Sequence, residues 1–143
     1  MTTDVTQPVE VRSQPAQHPP VILLVEDESI VREVTREVLV QAGYSVMESS
    51  TPAEALEIAS GHPGTIDLLL TDMVMPGMNG TELAARVQRL RPGMVTVFMS
   101  GYAESDTVER IRQSSAIHIQ KPFTVKILLS RIDEALQVEA AAG

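Results

Sequence analysis

The sequence contains no cysteine, few aromatic residues and no long apolar segment. The absence of cysteine excludes disulfide bonds and thiolate metal sites. Aromatic residues make up only 3% of the chain, so the core must be built from aliphatic side chains and methionine. No apolar run approaches the roughly 20 residues that a membrane-spanning helix requires. We therefore expect a protein that has no membrane partner.

Basic residues are also scarce compared with acidic ones. The formal net charge is −8 at pH 7, which argues against a nucleic-acid surface, because such a surface needs clustered Lys and Arg. The N-terminal segment has neither the basic start nor the apolar stretch of a secretion signal. We therefore predict a cytoplasmic protein that does not bind nucleic acid.

The 143 residues are enough for one ordinary domain, and the hydrophobic fraction of 43% is adequate for a single core. Residues 1–19 are polar, rich in Pro and Gln, and without helical or strand period. We interpret them as a disordered tail or linker, and a cloning or processing remnant is the alternative. We predict a folded domain over residues 20–138 and a short tail over residues 139–143.

Short apolar runs alternate with helical patterns along the predicted domain. The first run, Val21–Val25, is wholly apolar, as expected of a strand that is buried on both faces. The other predicted strands are Ser45–Ser49, Asp67–Thr71, Met94–Met99 and Ile117–Gln120. The first helix is predicted between an N-cap at Ser29 and a stop at Gly43, because Ile30, Val31, Val34 and Val38 recur at helical spacing. Further helices are predicted from Pro52, around Leu83–Leu90, weakly over Glu104–Gln113, and over Val125–Leu136. This alternation predicts a doubly wound α/β domain with a five-stranded parallel sheet and five helices.

Polar residues stand at the ends of four predicted strands. Glu26 and Asp27 follow the first strand, Asp72 the third, Ser100 the fourth and Lys121 the fifth. In a doubly wound sheet these strand ends can converge on one edge, where ligands bind. Three carboxylates, one hydroxyl and one ammonium would then face a common cleft.

The chemistry of such a cleft suits a phosphoryl group and a hard cation. Crowded carboxylates repel one another unless a cation neutralises them, and oxygen ligands with open positions favour Mg²⁺. Asp72 is the natural nucleophile, since a carboxylate can form an acyl phosphate. Lys121 and Ser100 add hydrogen-bond donors for the phosphoryl oxygens, and Lys121 would pair with Asp72 in the empty site.

The sequence resembles the receiver domains of two-component response regulators from about Val21 to Leu136. The motifs that carry the resemblance are VEDE after the first strand, TDMVMPGMNG around Asp72, MSGYAE after the fourth strand and QKPF after the fifth. Each motif alone is weak, but their order and their places at strand ends make the combination specific. The resemblance implies a flavodoxin-like sheet with strand order 2-1-3-4-5. It also implies phosphorelay signalling, with a phosphoryl group taken from a histidine kinase or a histidine phosphotransfer protein.

The resemblance assigns a role to each residue of the pocket. It implies that Asp72 is the phospho-acceptor and binds the metal together with Asp27. Glu26 would act largely through a metal-bound water, and the backbone carbonyl of Val74 would complete the protein ligands of Mg²⁺. Ser100 and Lys121 would contact the phosphoryl group, and the Lys121–Pro122 bond is expected to be cis.

Several positions bear on switching and on the lifetime of the phosphorylated state. Glu26 stands where the family often has Asp, and His118 takes the place of the usual switch aromatic, Tyr or Phe. Val74 and Tyr102 would flank the path of the hydrolytic water. Because neither resembles the amide or acid groups of fast members, a long-lived phosphorylated form is expected.

Three other functions stay open from the residues alone. A phosphatase of the haloacid-dehalogenase class also forms an aspartyl phosphate, but its second acid would stand at Val74. A flavodoxin-type flavin module would need a phosphate-binding loop where the acidic VEDE motif stands, and a scaffold pseudo-receiver would be expected to lose acidic residues. We expect a protein that catalyses only its own phosphorylation and dephosphorylation. It would be a stand-alone receiver or part of a larger protein, and the motif wording most resembles receivers of hybrid sensor kinases.

Overall fold

The structure of the protein is a computed structural model that describes residues 19–101 and 117–142. The strands are β1 (Val21–Val25), β2 (Ser45–Ser49), β3 (Leu68–Asp72), β4 (Val95–Ser100) and β5 (Ile117–Gln120). The helices in the described part are α1 (Ser29–Gln41), α2 (Pro52–Gly61), α3 (Gly80–Leu90) and α4 (Val125–Ala142). The helix predicted over Glu104–Gln113 lies outside the described residues.

All five strands are parallel and lie in the order β2-β1-β3-β4-β5, which confirms the predicted strand order. One face of the sheet packs against α2 and α3, through a core that includes Leu23, Leu69 and Val87. The other face packs against α1 and α4, through a core that includes Leu24 and Ile132. Helices therefore cover both faces, and the doubly wound α/β prediction is confirmed.

Two strands begin and end one residue later than the sequence pattern predicted. Asp67 stands just ahead of β3, where its backbone N–H donates to the Val21 carbonyl and its carboxylate accepts from the Val21 N–H at 2.7 Å. The hydrogen-bond ladder instead includes one more residue at the carboxyl end of each strand. There Asp72 of β3 pairs with Met99, and Ser100 of β4 pairs with Gln120. Asp72 and Ser100 are thus the last residues of β3 and β4, and the sheet itself holds their backbones.

Local capping explains where two of the helices begin, α2 and α3. The Thr51 hydroxyl accepts from the Glu54 N–H at 3.1 Å, and Pro52 occupies the first turn of α2. The Asn79 side chain accepts from the N–H of the third helical residue and caps α3. Helix α1 differs from the prediction, because Ser29 is its first residue and not its N-cap. The position before it is Glu28, which caps nothing with its side chain.

The apolar residues that predicted α1 mark its buried face only in part: Val38 packs against the core and Val31 is half-buried. Ile30 is 74% exposed and Val34 is 58% exposed, whereas Thr35 and Leu39 are buried against the sheet. In α4 the amphipathic pattern does mark the buried face, since Leu128 and Ile132 are enclosed. None of the helices in the described part combines the length and the apolar character needed to cross a membrane.

A close backbone approach fixes the turn between β3 and α3. The Gly80 N–H donates to the Met73 carbonyl at 2.7 Å. A Cβ atom added to Gly80 would lie only 2.1 Å from the carbonyl oxygen of Asp72. Only glycine lets α3 begin against the end of β3 in this way, so Gly80 sets the shape of the loop that follows Asp72.

We expect Gly80→Ala to destabilise the protein by about 1–3 kcal/mol, because the new Cβ forces the backbone apart at Asp72. Urea denaturation measures this. Gly61→Ala is the matched control, since a Cβ at Gly61 meets no heavy atom within 4 Å and its backbone φ is ordinary. An equal loss in both variants would show that the contact with Asp72 is not the cause.

Candidate functional site

Three carboxylates meet at the carboxyl edge of the sheet. Glu26 and Asp27 follow β1, and Asp72 ends β3. One oxygen from each lies within 4.8 Å of the others. Glu26 is fully buried and Asp72 is nearly so, whereas Asp27 is exposed. The structure therefore brings together all three acidic residues that the sequence analysis singled out.

Lys121 connects two of these carboxylates. Its Nζ lies 2.8 Å from Glu26 Oε1 and 2.6 Å from Asp72 Oδ1. The Lys121 backbone N–H donates to the Ser100 carbonyl at 2.7 Å, which holds the residue beyond the end of β5. The bond between Lys121 and Pro122 is cis, as the resemblance implied.

Backbone contacts hold Glu26 in place. Its N–H donates to the Ser49 carbonyl at the end of β2, and its carbonyl accepts from the Arg32 guanidinium at 2.8 Å. The Glu28 N–H donates to Glu26 Oε2 at 3.1 Å. With Lys121 on the other carboxylate oxygen, the buried side chain has a hydrogen bond on each oxygen. Sequence analysis missed Arg32, since nothing in the spacing indicates a bond to that carbonyl.

The carboxylates open into a cleft of about 320 Å³. Its lining consists of Asp27, Glu28, Asp72, Val74, Ser100, Gly101 and Lys121. The Val74 side chain is 56% exposed at the rim, and the Ser100 side chain is almost fully enclosed. Glu28 and Gly101 were not singled out from the sequence, although both lie within the quoted motifs. Tyr102, predicted to flank the cleft, lies outside the described residues.

The Ser100 hydroxyl is hydrogen-bonded to Nε2 of His118 on the neighbouring strand β5. The structure thus places His118 in direct contact with one of the predicted phosphoryl ligands. His118 is only partly buried and does not line the cleft itself.

Burial and the neighbouring charged groups shift the pKa values of Asp72, Glu26 and Lys121 in different directions. Burial, together with the neighbouring Glu26 carboxylate, raises the pKa of Asp72 to about 8, although Lys121 acts against this. Burial alone would raise the pKa of Glu26, but hydrogen bonds to Asp72, Lys121 and the Glu28 N–H lower it below its usual value. Burial alone would lower the pKa of Lys121, but contact with Asp72 and Glu26 raises it. Glu26 and Lys121 are therefore the charged pair, and Asp72 retains a proton near neutral pH.

The donor set fits a hard divalent cation. When Glu26, Asp27 and Asp72 are all ionised, three negative charges face the single positive charge of Lys121, so two negative charges are unbalanced. Carboxylate oxygens beside an open cleft are ligands that Mg²⁺ accepts while it keeps some of its waters. Such a cation would remove the repulsion that holds the proton on Asp72.

Comparison with known proteins gives a consistent picture. The family model described as the response regulator receiver domain matches residues 22–133. The sensor kinase CckA of Brucella abortus is 35% identical over 117 residues, which are 81% of this chain but only 12% of that protein. The receiver protein CpdR of the same organism is 35% identical over 80% of this chain and 95% of its own length. A CheY-like receiver structure from Methanospirillum hungatei superposes with a TM-score of 0.77 at 31% identity, covering 87% of this chain and 99% of that one.

We expect Asp72→Asn to stabilise the metal-free protein at pH 7.5 by on the order of 1–3 kcal/mol. Because the pKa of Asp72 is raised from 3.8 to about 8, its contribution to stability is complete at low pH and is lost as the pH rises through that window. Asparagine removes this loss and leaves Glu26 paired with Lys121. The gain should therefore be larger at pH 7.5 than at pH 5.

Thermal denaturation with a chelator at both pH values measures the difference. Asp133→Asn, the same change at an exposed position of α4, is the control and should have little effect. A gain that does not grow with pH would contradict the assigned cause.

Proposed function

Since this chain belongs to the response regulator receiver domain family, we propose that Asp72 is its phospho-acceptor and that the surrounding cleft holds Mg²⁺. The observation that carries this proposal is the pairing of Lys121 Nζ with the carboxylates of Asp72 and Glu26, at the strand ends where the family motifs stand. Receiver domains of two-component systems accept phosphoryl groups in a Mg²⁺-dependent reaction, and this chain is one of them.

Asp72 is suited to act as the nucleophile. It is the last residue of a central strand, so the ladder fixes its backbone, and its side chain borders the open cleft. In the transfer step a carboxylate oxygen of Asp72 forms a bond to phosphorus. The bond between phosphorus and the imidazole nitrogen of a phosphohistidine breaks, and that nitrogen leaves with the electron pair. Asp72 must be ionised for this attack, which requires that its retained proton leave first.

The metal site is proposed from the charges and burial of its members. Asp27 is exposed at the cleft and Asp72 borders it, so both would bind Mg²⁺ directly. Glu26 is fully buried and both of its oxygens have hydrogen-bond partners, which favours a role through a metal-bound water. The Val74 carbonyl is the further proposed ligand. When bound, the cation would neutralise the developing charge on the phosphoryl oxygens.

Lys121 and Ser100 would receive the phosphoryl group. Lys121 Nζ already contacts Asp72 Oδ1, so a small movement of this flexible side chain would bring it to an oxygen of a phosphoryl group on Asp72. The Ser100 hydroxyl lines the same cleft from the end of β4. Together they would hold oxygens of the phosphoryl group by hydrogen bonds.

This assignment indicates the class of protein that donates the phosphoryl group. We propose a histidine kinase or a histidine phosphotransfer protein as the donor. The proposal includes no reaction on other substrates: Val74 stands where a dehalogenase-type phosphatase needs its second acid, and its side chain has no proton to give. The chain spans only 12% of CckA, so the activity of that whole protein is not transferred to this chain. It spans 95% of CpdR, but the activity of CpdR is likewise not transferred. The cytoplasmic location and the domain limits at residues 20 and 138 remain predictions.

Acetyl phosphate with Mg²⁺ should add one phosphoryl group to the wild-type protein, and none after Mg²⁺ is chelated. Asp72→Asn should carry no adduct, because an amide is not a nucleophile, although Mg²⁺ binding should survive weakly through Asp27 and Glu26. Intact-protein mass spectrometry gives the result directly. The control Asp133→Asn should be phosphorylated as the parent is, and an adduct on Asp72→Asn would place the acceptor elsewhere.

Val74→Asn should shorten the lifetime of the phosphorylated protein by a few-fold to about tenfold. The exposed valine side chain at the rim cannot hydrogen-bond, whereas an amide there would orient a water toward the acyl phosphate. Decay is followed in Mg²⁺ at fixed pH without kinase or phosphatase. Val40→Asn, an exposed valine at the far end of α1, is the control. If both variants decay like the parent, Val74 does not gate the water.

A further inference from the structure

The contact between Ser100 and His118 links the cleft to the neighbouring strand. In the parallel register of β4 and β5, Phe98 pairs with His118 and Ser100 pairs with Gln120. Side chains two residues apart in a strand point to the same face, so Ser100 and His118 are diagonal neighbours on one face of the sheet. His118 Nε2 and Ser100 Oγ are hydrogen-bonded there.

The direction of this hydrogen bond decides what Ser100 can offer to the cleft. A serine hydroxyl has one proton to donate and two lone pairs that accept. If His118 Nε2 accepts, the hydroxyl proton is used in that bond, and Ser100 presents only lone pairs to an incoming anion. If His118 Nε2 carries a proton and donates it, the hydroxyl proton is available to the cleft.

We propose that His118 is a positioning residue for phosphorylation: its Nε2–H donates to Ser100 Oγ and thereby directs the Ser100 hydroxyl proton toward the phosphoryl group on Asp72. This inference rests on the proposed function, in which Ser100 binds a phosphoryl oxygen. His118 would not touch the phosphoryl group itself. It would act through Ser100, by two successive hydrogen bonds that lead from His118 Nε2 to the phosphoryl oxygen.

Burial makes this role hard for water to replace. Ser100 is 2% exposed, so its hydroxyl has little contact with bulk solvent that could supply another donor. The Lys121 N–H holds the Ser100 carbonyl at 2.7 Å, which restricts backbone movement at the end of β4. Lys121 Nζ is already engaged with Glu26 and Asp72, so it is not the donor that orients Ser100. Within the described residues, His118 is therefore the side chain that determines where the Ser100 proton points.

A double-mutant cycle tests the link. The affinity for beryllofluoride, a phosphoryl mimic, is measured by calorimetry at saturating Mg²⁺ for the parent, His118→Phe, Ser100→Ala and the double variant. A hydrogen bond of ordinary net strength predicts that His118→Phe weakens binding by roughly three- to tenfold when Ser100 is present. In the Ser100→Ala background the same change should have an effect of less than about twofold.

Two further measurements separate positioning from a merely structural role. His118→Gln keeps an amide N–H donor and should recover most of the affinity that His118→Phe loses. In the wild-type protein, ¹⁵N chemical shifts of the His118 ring should show a proton on Nε2 in the beryllofluoride complex, a readout that requires no substitution.

The outcomes distinguish this inference from the function on which it rests. Wild-type protein that binds no beryllofluoride would overturn the proposed function and this inference with it. Normal wild-type binding would overturn the inference alone if His118→Phe has the same effect with and without Ser100. An unprotonated Nε2 in the complex would likewise show that His118 accepts the bond, and would overturn the assigned role.

Discussion

The contacts of the Lys121 ammonium with Glu26 and Asp72 are the interactions on which the rest of the site depends. Two carboxylates buried beside each other repel strongly, and a buried charge without a partner is costly. Lys121 Nζ reaches both, at 2.8 Å from Glu26 and 2.6 Å from Asp72. Burial of Asp72, together with the neighbouring Glu26 carboxylate, nevertheless raises the pKa of Asp72, and Lys121 only opposes this shift. A divalent cation and a phosphoryl group would each change the balance of charge in this cluster.

The sheet holds the groups of the site in a rigid arrangement. Asp72 and Ser100 are the last paired residues of adjacent strands, so their backbones share the hydrogen-bond ladder of the core. Gly80 brings the start of α3 against the Asp72 carbonyl, and Arg32 from α1 holds the Glu26 carbonyl. Each reacting group is therefore attached to at least one element of the fold, while Asp27 remains exposed toward the cleft. A change of charge at Asp72 would therefore act on neighbouring groups whose backbones have little freedom to move.

The apolar pattern of the sequence predicted the architecture of the sheet, which hydrophobic burial dominates. It failed in part for the buried face of α1 and for the strand limits, which hydrophobic burial alone does not decide. The parallel sheet with helices on both faces followed from the alternation of apolar runs and helical patterns, because right-handed crossovers leave few alternative topologies. The strand order was implied by the resemblance to receiver domains. The buried face of α1 did not follow, since Ile30 and Val34 match helical spacing but point to solvent, and Thr35 is buried in their place. The limits of β3 and β4 moved by one residue. At the start of β3 the Asp67 side chain accepts from the Val21 N–H, a contact that a simple apolar pattern does not represent.

By itself, the sequence determined the residue types at the strand ends, and with them the acidic, oxygen-rich character of the candidate site. Its motifs also indicated the receiver family, because their order along the chain is visible without coordinates. Only the tertiary structure decided that Lys121 joins Glu26 to Asp72, and that the Ser100 hydroxyl is bonded to His118. These contacts join residues up to 95 positions apart in the chain. Their distances and burial, which set the pKa values of the cluster, exist only once the strands have paired in register.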